Sequence, residues 1–292
     1  MDKTILIRIV RSDLEEFKIG TGLDWQLLTN GLDGFGSFDN ILNYIDNATA
    51  DGGTITSARL TKKDRTITCV NTRFNYNDVV RKQALNFFNA KYTYKIYITY
   101  AGQTRWAEGW IYKFSLPNKS LNKRMEMMIT FTFANPYLKS FDDFGKDIAS
   151  VSAKMAFPYL CSITPGTIKG ITGGVYNFAQ KVILTNDGDV ETYCRAVFKA
   201  TGTVVNPTLI INDEYVRIID IMYEDDEIVM DFTASPPTIK KNGVNFIGHC
   251  DRTSSFDAMI LRVGDTEVQF DADDGTNLLK VSIYYNKLYC AI

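Results

Sequence analysis

The sequence predicts a mainly β protein built as two domains, residues 1–140 and 141–292. Three observations carry that reading. First, the chain has 292 residues, a length that usually holds two domains of ordinary size. Second, apolar residues alternate with polar ones in segment after segment, the period of a half-buried strand. Third, the charge divides unevenly. Residues 1–138 carry 18 lysines and arginines against 13 acids, net +5, and residues 139–292 carry 14 against 21, net −7. The split supports two units with different surfaces; head-to-tail contacts between copies would account for it, and so would drift.

The strands can be taken in order. Ile5, Ile7 and Ile9 alternate, as do Tyr94, Ile96, Ile98 and Tyr100, then Ile129, Phe131 and Phe133. In the second half the strand segments are TLII (208–211), VRIIDI (216–221), IVMDF (228–232), AMILRV (258–263), VQF (268–270) and KVSIYY (280–285). Their close spacing after Val204 is the pattern of a sandwich or barrel. Turn signals separate the strands: Asp51-Gly52-Gly53, Ala101-Gly102-Gln103, Asn186-Asp187-Gly188-Asp189, Lys241-Asn242-Gly243 and Asp273-Asp274-Gly275. One helix is predicted over 76–90, with Asn77 or Asp78 as its cap and Val80, Ala84, Phe87 and Phe88 on one face. A turn or two of a second helix is expected near 37–46, SFDNILNYID.

Proline marks the boundary. None of the 7 prolines precedes Pro117, and the 139–175 stretch, with Pro158, Pro165 and GTIKGITGG, reads as a connector. Pro136 lacks the N–H a ladder needs and biases Asn135 away from helix. Asn135-Pro136-Tyr137 therefore ends the strand of Phe131 and Phe133 and closes the first domain.

No constellation of reactive residues emerges. The 5 cysteines (69, 161, 194, 250 and 290) are scattered, odd in number and without CxxC, so they read as reduced and mostly buried. A triad or a histidine-based metal site would have to use His249, the one histidine. GTGLDWQ and GFGSFDN lack the third glycine of a dinucleotide fingerprint and a βαβ setting. Asp271-Ala272-Asp273-Asp274-Gly275 departs from a calcium loop: glycine is one place early and Ser282 stands where the glutamate belongs. Glu224-Asp225-Asp226-Glu227 reads as a solvated turn. Trp106, Glu108, Trp110, Tyr112 and Phe114 share one strand face. With a single charge and a continuation to Leu116, that face reads as core, although an exposed one would suit sugar stacking. No long basic run with interleaved aromatics marks a nucleic-acid surface. No apolar run approaches the roughly 18–20 residues of a membrane helix, and the N-terminus is not a signal peptide. Catalytic residues, cofactor and metal are thus expected to be none, and the chain is expected to bind or build something.

The order of features is more specific than any one of them. DGGTITSARL leads to an Arg65-led strand, and an Asn-capped helix with LNFFN near its end follows. Next come TYKIYITY, Arg105, the EGWIYKF strand with Gly109, and the terminal Phe133-Ala134-Asn135-Pro136-Tyr137. This resembles the distal tail (Dit), or siphophage tail component, family of long-tailed phages. In the second half Gly188, Thr192, Gly202, Asn206 and Pro207 fit the same resemblance, with Cys194 where a proline is common. The resemblance implies an N-terminal β-sandwich with one helix and a long hairpin, and a C-terminal galectin-like β-sandwich. It implies a homohexameric ring, a hub joining the tail tube protein to tail-tip hub, baseplate or receptor-binding proteins, with DNA passing through. Location in the virion tail, after synthesis in a bacterial host cytoplasm, goes with it. The competing readings are a lectin-like carbohydrate-binding module and a carboxylate-based glycoside hydrolase. A galectin-type sugar site is not in view, since no tryptophan follows Trp110.

Overall fold

A computed structural model describes residues 5–47, 49, 51–73, 77–117, 124–141, 144–147, 150–153, 174–177 and 181–292. The fold is mainly β, as the sequence predicts. The chain divides into two compact units, Met1–Phe141 with Leu288–Ile292, and Asp142–Lys287. The last five residues, which the sequence assigns to the second domain, thus belong to the first. Most of the predicted connector, Pro158 and Pro165 included, lies outside the described residues.

The first unit begins with β1 (Leu6–Arg11), β2 (Glu16–Gly20) and β3 (Trp25–Asp33). A hairpin follows, β4 (Asn40–Asp46) and β5 (Gly53–Leu60), then β6 (Lys63–Asn71) and α1 (Asn77–Phe87). After these come β7 (Thr93–Tyr100), β8 (Gln103–Ser115), β9 (Glu126–Phe133) and β10 (Leu138–Ser140). The main sheet runs β2-β1-β7-β8-β9-β6-β3. Its two end strands, β2 and β3, are consecutive in the chain, and Phe17 of one meets Trp25 of the other with ring centroids 6.4 Å apart. The sheet therefore folds back over its own core.

Period-2 alternation puts Ile7, Ile9, Ile67, Tyr94, Ile96, Ile98, Met127, Ile129, Phe131 and Phe133 inside. Helix α1 covers them with Val80, Ala84, Phe87 and Phe88, the residues its 3.6-residue period selects. Each such buried aromatic or aliphatic side chain contributes about 1.5–3 kcal/mol. Arg11 ends the helix. Its Nη1 donates to the carbonyls of Asn86 and Phe87, both at 2.9 Å, satisfying acceptors the last turn leaves open. Asp13 hydrogen-bonds that guanidinium and, against the effect of burial, raises its pKa further.

Two expectations are corrected. The segment near 37–46 is strand β4, not helix. It pairs with β5 across a turn in which Gly52 has φ +93° and the Asn47 N–H donates to the Gly52 carbonyl at 3.0 Å. Ile41, Tyr44 and Ile45 fit a pleat better than a helix surface. The Trp106–Phe114 face is not core either. Ala107 and Gly109 point inward, while Trp110 is 47% and Tyr112 70% exposed. A β-bulge between Ile111 and Lys113 then changes the phase, and Phe114 alone turns in, 5.4 Å from Phe88.

The second unit holds β11 (Phe144–Asp147), β12 (Ser150–Ala153), β13 (Gly174–Asn177) and β14 (Lys181–Asn186). It continues through β15 (Thr192–Tyr193), β16 (Arg195–Ala200), β17 (Val204–Val205), β18 (Thr208–Ile211) and β19 (Glu214–Arg217). The remaining strands are β20 (Ile221–Met222), β21 (Glu227–Asp231), β22 (Thr238–Lys241), β23 (Val244–Asn245), β24 (Ile260–Leu261), β25 (Gly264–Asp271) and β26 (Leu279–Tyr285). Two sheets carry the core, β11-β26-β16-β21-β22-β23 and β14-β25-β18-β19. Phe198, Met230 and Ile283 from the first pack in one cluster with Leu209, Ile211, Val268 and Phe270 from the second. Tight turns close the hairpins. Asn212-Asp213 (φ 55° and 64°) and Asn242-Gly243 (φ 51° and 80°) both adopt the left-handed geometry that matches strand twist.

The chain then returns. Strand β27 (Leu288–Tyr289) pairs with β10, and β10 pairs with β8. That adds the carboxyl end of the chain to the first unit's sheet.

Candidate assembly surface

The motif residues of the first unit meet around that return. Arg65 on β6 is 1% exposed. Its Nε donates to the Gly34 carbonyl at 3.2 Å and its Nη2 to the Pro136 carbonyl at 2.6 Å. The guanidinium lies 5.4 Å from the Phe35 ring centroid and 5.0 Å from that of Phe133. Asn135 supplies the turn: its Oδ1 accepts from the Tyr137 N–H at 3.0 Å, which bends the chain out of β9 and aims the Pro136 carbonyl at Arg65. Gly109 is needed where β8 approaches β9. A Cβ there would lie 2.9 Å from the Thr132 carbonyl oxygen and 3.0 Å from the Phe133 ring.

Arg105 on β8 grips the return segment itself. It lies over the Tyr289 ring at 3.8 Å and donates to the Ala291 carbonyl. The Ile292 N–H completes the seam on the Phe35 carbonyl at 3.0 Å. Arg105 thus clasps the return segment, while Arg65, Asn135 and Pro136 fix the turn out of β9. Sequence reading singled these residues out as motif matches and did not foresee the five-residue segment that Arg105 holds. The signal was weak, since LYCAI is an apolar tail with no partner strand adjacent in sequence.

In the second unit Asn186 Oδ1 accepts from the Gly188 N–H at 3.0 Å. Asn206, at φ 51°, donates to Asp273 at 2.7 Å, and the Pro207 carbonyl accepts from Ile218 at 3.0 Å. These residues shape turns. The acidic stretches have the same character. Asp273 also pairs with Arg217. Asp226 is held below the usual carboxylate range, chiefly by the Tyr223 N–H and then by the Asn242 side chain. His249 is exposed and stacks on Phe246 at 3.9 Å. No group of three or more histidine, cysteine or acidic side chains is gathered for a metal among the described residues, and no helix described is long and apolar enough to cross a membrane.

What the first unit does present is unpartnered surface. Every residue of β4 is exposed, as are all of β5 but the last. Ile41, Leu42, Tyr44, Ile45 and Ile55 are among them. The hairpin pairs only with itself among the described residues, and an isolated two-stranded hairpin is marginal in water. On the outer face of β7 and β8, Trp106 stacks on Tyr97 at 6.0 Å. Lys95 and Lys139 lie 5.5 and 5.1 Å from the Trp106 ring, and Trp110 and Tyr112 are open beside them.

No protein-family model and no curated protein matches the chain, but solved structures do. The Dit protein (gp 19.1) of phage SPP1, described as a paradigm of the hub adsorption apparatus in phages infecting Gram-positive hosts, superposes with a TM-score of 0.63 and 11% identity. The match covers 97% of this chain and 98% of that one. A chain of the phage P2 baseplate in its activated conformation with calcium gives 0.57 and 11% over 99% of each chain. The corresponding strontium form gives 0.56 and 12%, again over 99% of each.

Proposed function

We propose that this chain is a structural hub of a phage tail, a distal tail protein whose copies close into a ring between tail tube and tail tip. The observation that carries the reading is the end-to-end likeness of its fold to the SPP1 hub protein. The β4–β5 hairpin supports it. A heterologous contact that closes a ring needs one surface that reaches and another that receives, and an apolar hairpin without a partner is suited to the first role. On this reading the first unit makes the ring and the second is the galectin-like domain. The ring holds six copies, and its neighbours are the tail tube, tail-tip hub and baseplate proteins. The protein is non-enzymatic, DNA passes through the ring, and the virion tail is its location after synthesis in the host cytoplasm.

Negative-stain imaging with light-scattering mass tests this. Rings with a central hole and a mass near six times 33.0 kDa are expected. A monomer at high concentration, even when mixed with tail tube protein, sinks the reading.

A second reading has one observation in its favour. The open Trp110–Tyr112 stripe is a surface on which a sugar ring can stack. Binding on a glycan array that disappears in Trp110→Ala would support it, and an empty array would remove it.

A further inference from the structure

The second unit carries an open cavity beside β19. It holds about 600 Å³, within the range of about 300–1,000 Å³ usual for small-ligand sites. Pro236, Pro237, Ile247 and Phe256 give it apolar walls, and Glu214 and Asp257 bring two carboxylates to it. Among the described residues no base lines it: Arg217, Lys240, His249 and Arg252 are close by in sequence but form no part of the wall. Arg217 is instead paired with Asp273.

The wall is tied down on both sides. Phe256 lies against the buried Phe232 ring, with centroids 6.1 Å apart. The Ser255 N–H donates to the Tyr215 carbonyl at 3.0 Å, and the Ser254 Oγ accepts from the Arg217 N–H at 3.1 Å. Ser255 Oγ donates to Glu214 Oε2 at 2.7 Å. That bond fixes the Glu214 carboxylate and leaves its Oε1 without a hydrogen bond among the described residues. Asp257 is exposed and has no hydrogen-bond or ion-pair partner among them.

This combination selects an organic cation. The carboxylates attract positive charge, the Phe256 ring face does the same through its quadrupole, and the prolines and Ile247 cover an apolar stem. An anion would meet two like charges and no donor base. A bare metal ion would leave the apolar walls unused, and no group of three metal-binding side chains is gathered among the described residues. We propose that this cavity is a binding site for an ammonium group carried on an apolar stem, with Glu214 and Asp257 holding the charge and Phe256 the stem. A free alkylamine and the side chain of a lysine share that chemistry. The inference is independent of the hub reading, since it concerns a cavity within one unit of one chain.

The test uses three probes with the same stem and different charge: hexylamine, 1-hexanol and hexanoate. Each is titrated at pH 7 into the full ¹⁵N-labelled chain while amide shifts are followed. Hexylamine should move the amides of residues 254–258 saturably, with a Kd of about 1 mM or tighter, and should bind at least about tenfold more tightly than 1-hexanol. Hexanoate should leave those amides in place. In Glu214→Gln with Asp257→Asn, which keeps the shape and removes the charge, hexylamine should fall to the affinity of 1-hexanol. No saturable shift with hexylamine, equal affinity for 1-hexanol, or unchanged affinity in the double variant overturns the proposal. The three probes decide it in the unaltered chain even if the variant does not fold. A titration with Nα-acetyl-lysine methylamide then distinguishes the sources. Tighter binding than hexylamine assigns the site to a lysine presented by a protein, and weaker binding assigns it to a free amine.

Discussion

The Nη2 of Arg65 donates to the carbonyl of Pro136 at 2.6 Å, joining residues 71 positions apart. One side chain thus fixes the exit of β9 and the start of the turn toward β10. Arg65→Ala removes two hydrogen bonds and leaves a void between Phe35 and Phe133. It should cost about 3 kcal/mol. Arg65→Met, which keeps the volume and discards the buried charge, should cost less than half of that. Urea unfolding of both variants checks the ratio; equal losses would show that the charge matters more than the packing.

Gly109 offers a steric test. Its missing Cβ would meet the Thr132 carbonyl and the Phe133 ring, neither of which is a flexible chain end. Gly109→Val should lose about 2 kcal/mol or more by forcing β8 away from β9. A variant that melts with the parent would place slack where the structure has none.

Trp110 and Tyr112 distinguish an outer face from a core face. Replacing both with serine should change stability by no more than about 0.5 kcal/mol each. Core aromatics would cost about 3–5 kcal/mol each on truncation. Thermal melts of the double variant separate the two, and the same variant should weaken any assembly that covers this face.

Arg105→Ala should free the carboxyl end without unfolding the first unit. The Tyr289 ring and the Ala291 carbonyl both lose their cation. Hydrogen exchange at residues 288–292 should quicken at least tenfold while β7 and β9 stay protected.

Asp226 gives the second unit an acid limb. Its folded pKa is depressed, first by the Tyr223 N–H, so it binds a proton less readily folded than unfolded. The stability it contributes is therefore fully present above the unfolded carboxylate value, about 3.9, and is lost as pH falls through the lower folded value. Asp226→Asn should flatten the decline of the melting temperature between pH 5 and 3. An unchanged slope would assign that limb to other carboxylates.

Much of this fold was legible because strand period and turn chemistry are local. Ile7 and Ile9, Ile129 to Phe133, the α1 face and Asn242-Gly243 each announce themselves within a few residues. What stayed hidden depends on partners far along the chain. β4 reads as a short helix because Ile41 and Ile45 sit four apart, and only pairing with β5 decides otherwise. The Trp106–Tyr112 stripe reads as core because it carries a single charge and continues to Leu116. Its neighbours Ala107 and Gly109, the small residues that let β8 lie close to the sheet's interior, carried the contrary signal. Arg65, Arg105 and Asn135-Pro136 stood out in the sequence only as a spaced set, and the tail that Arg105 holds was not legible, since strand pairing over 150 residues leaves no local trace.

The pairing of β10 with β27 sets Lys139 opposite Leu288. The polypeptide leaves the first unit and re-enters it on adjacent strands, about 4.8 Å apart. Everything between is in effect a cassette spliced into a strand crossing. Such a junction accepts any insert whose own ends lie side by side. Exchange of the second unit for an unrelated domain is then a graft at Phe141 and Leu288 that leaves the first unit's ladder intact. The same junction places β27 after the insert in the chain, so the first unit's sheet is completed only after the whole insert has been made.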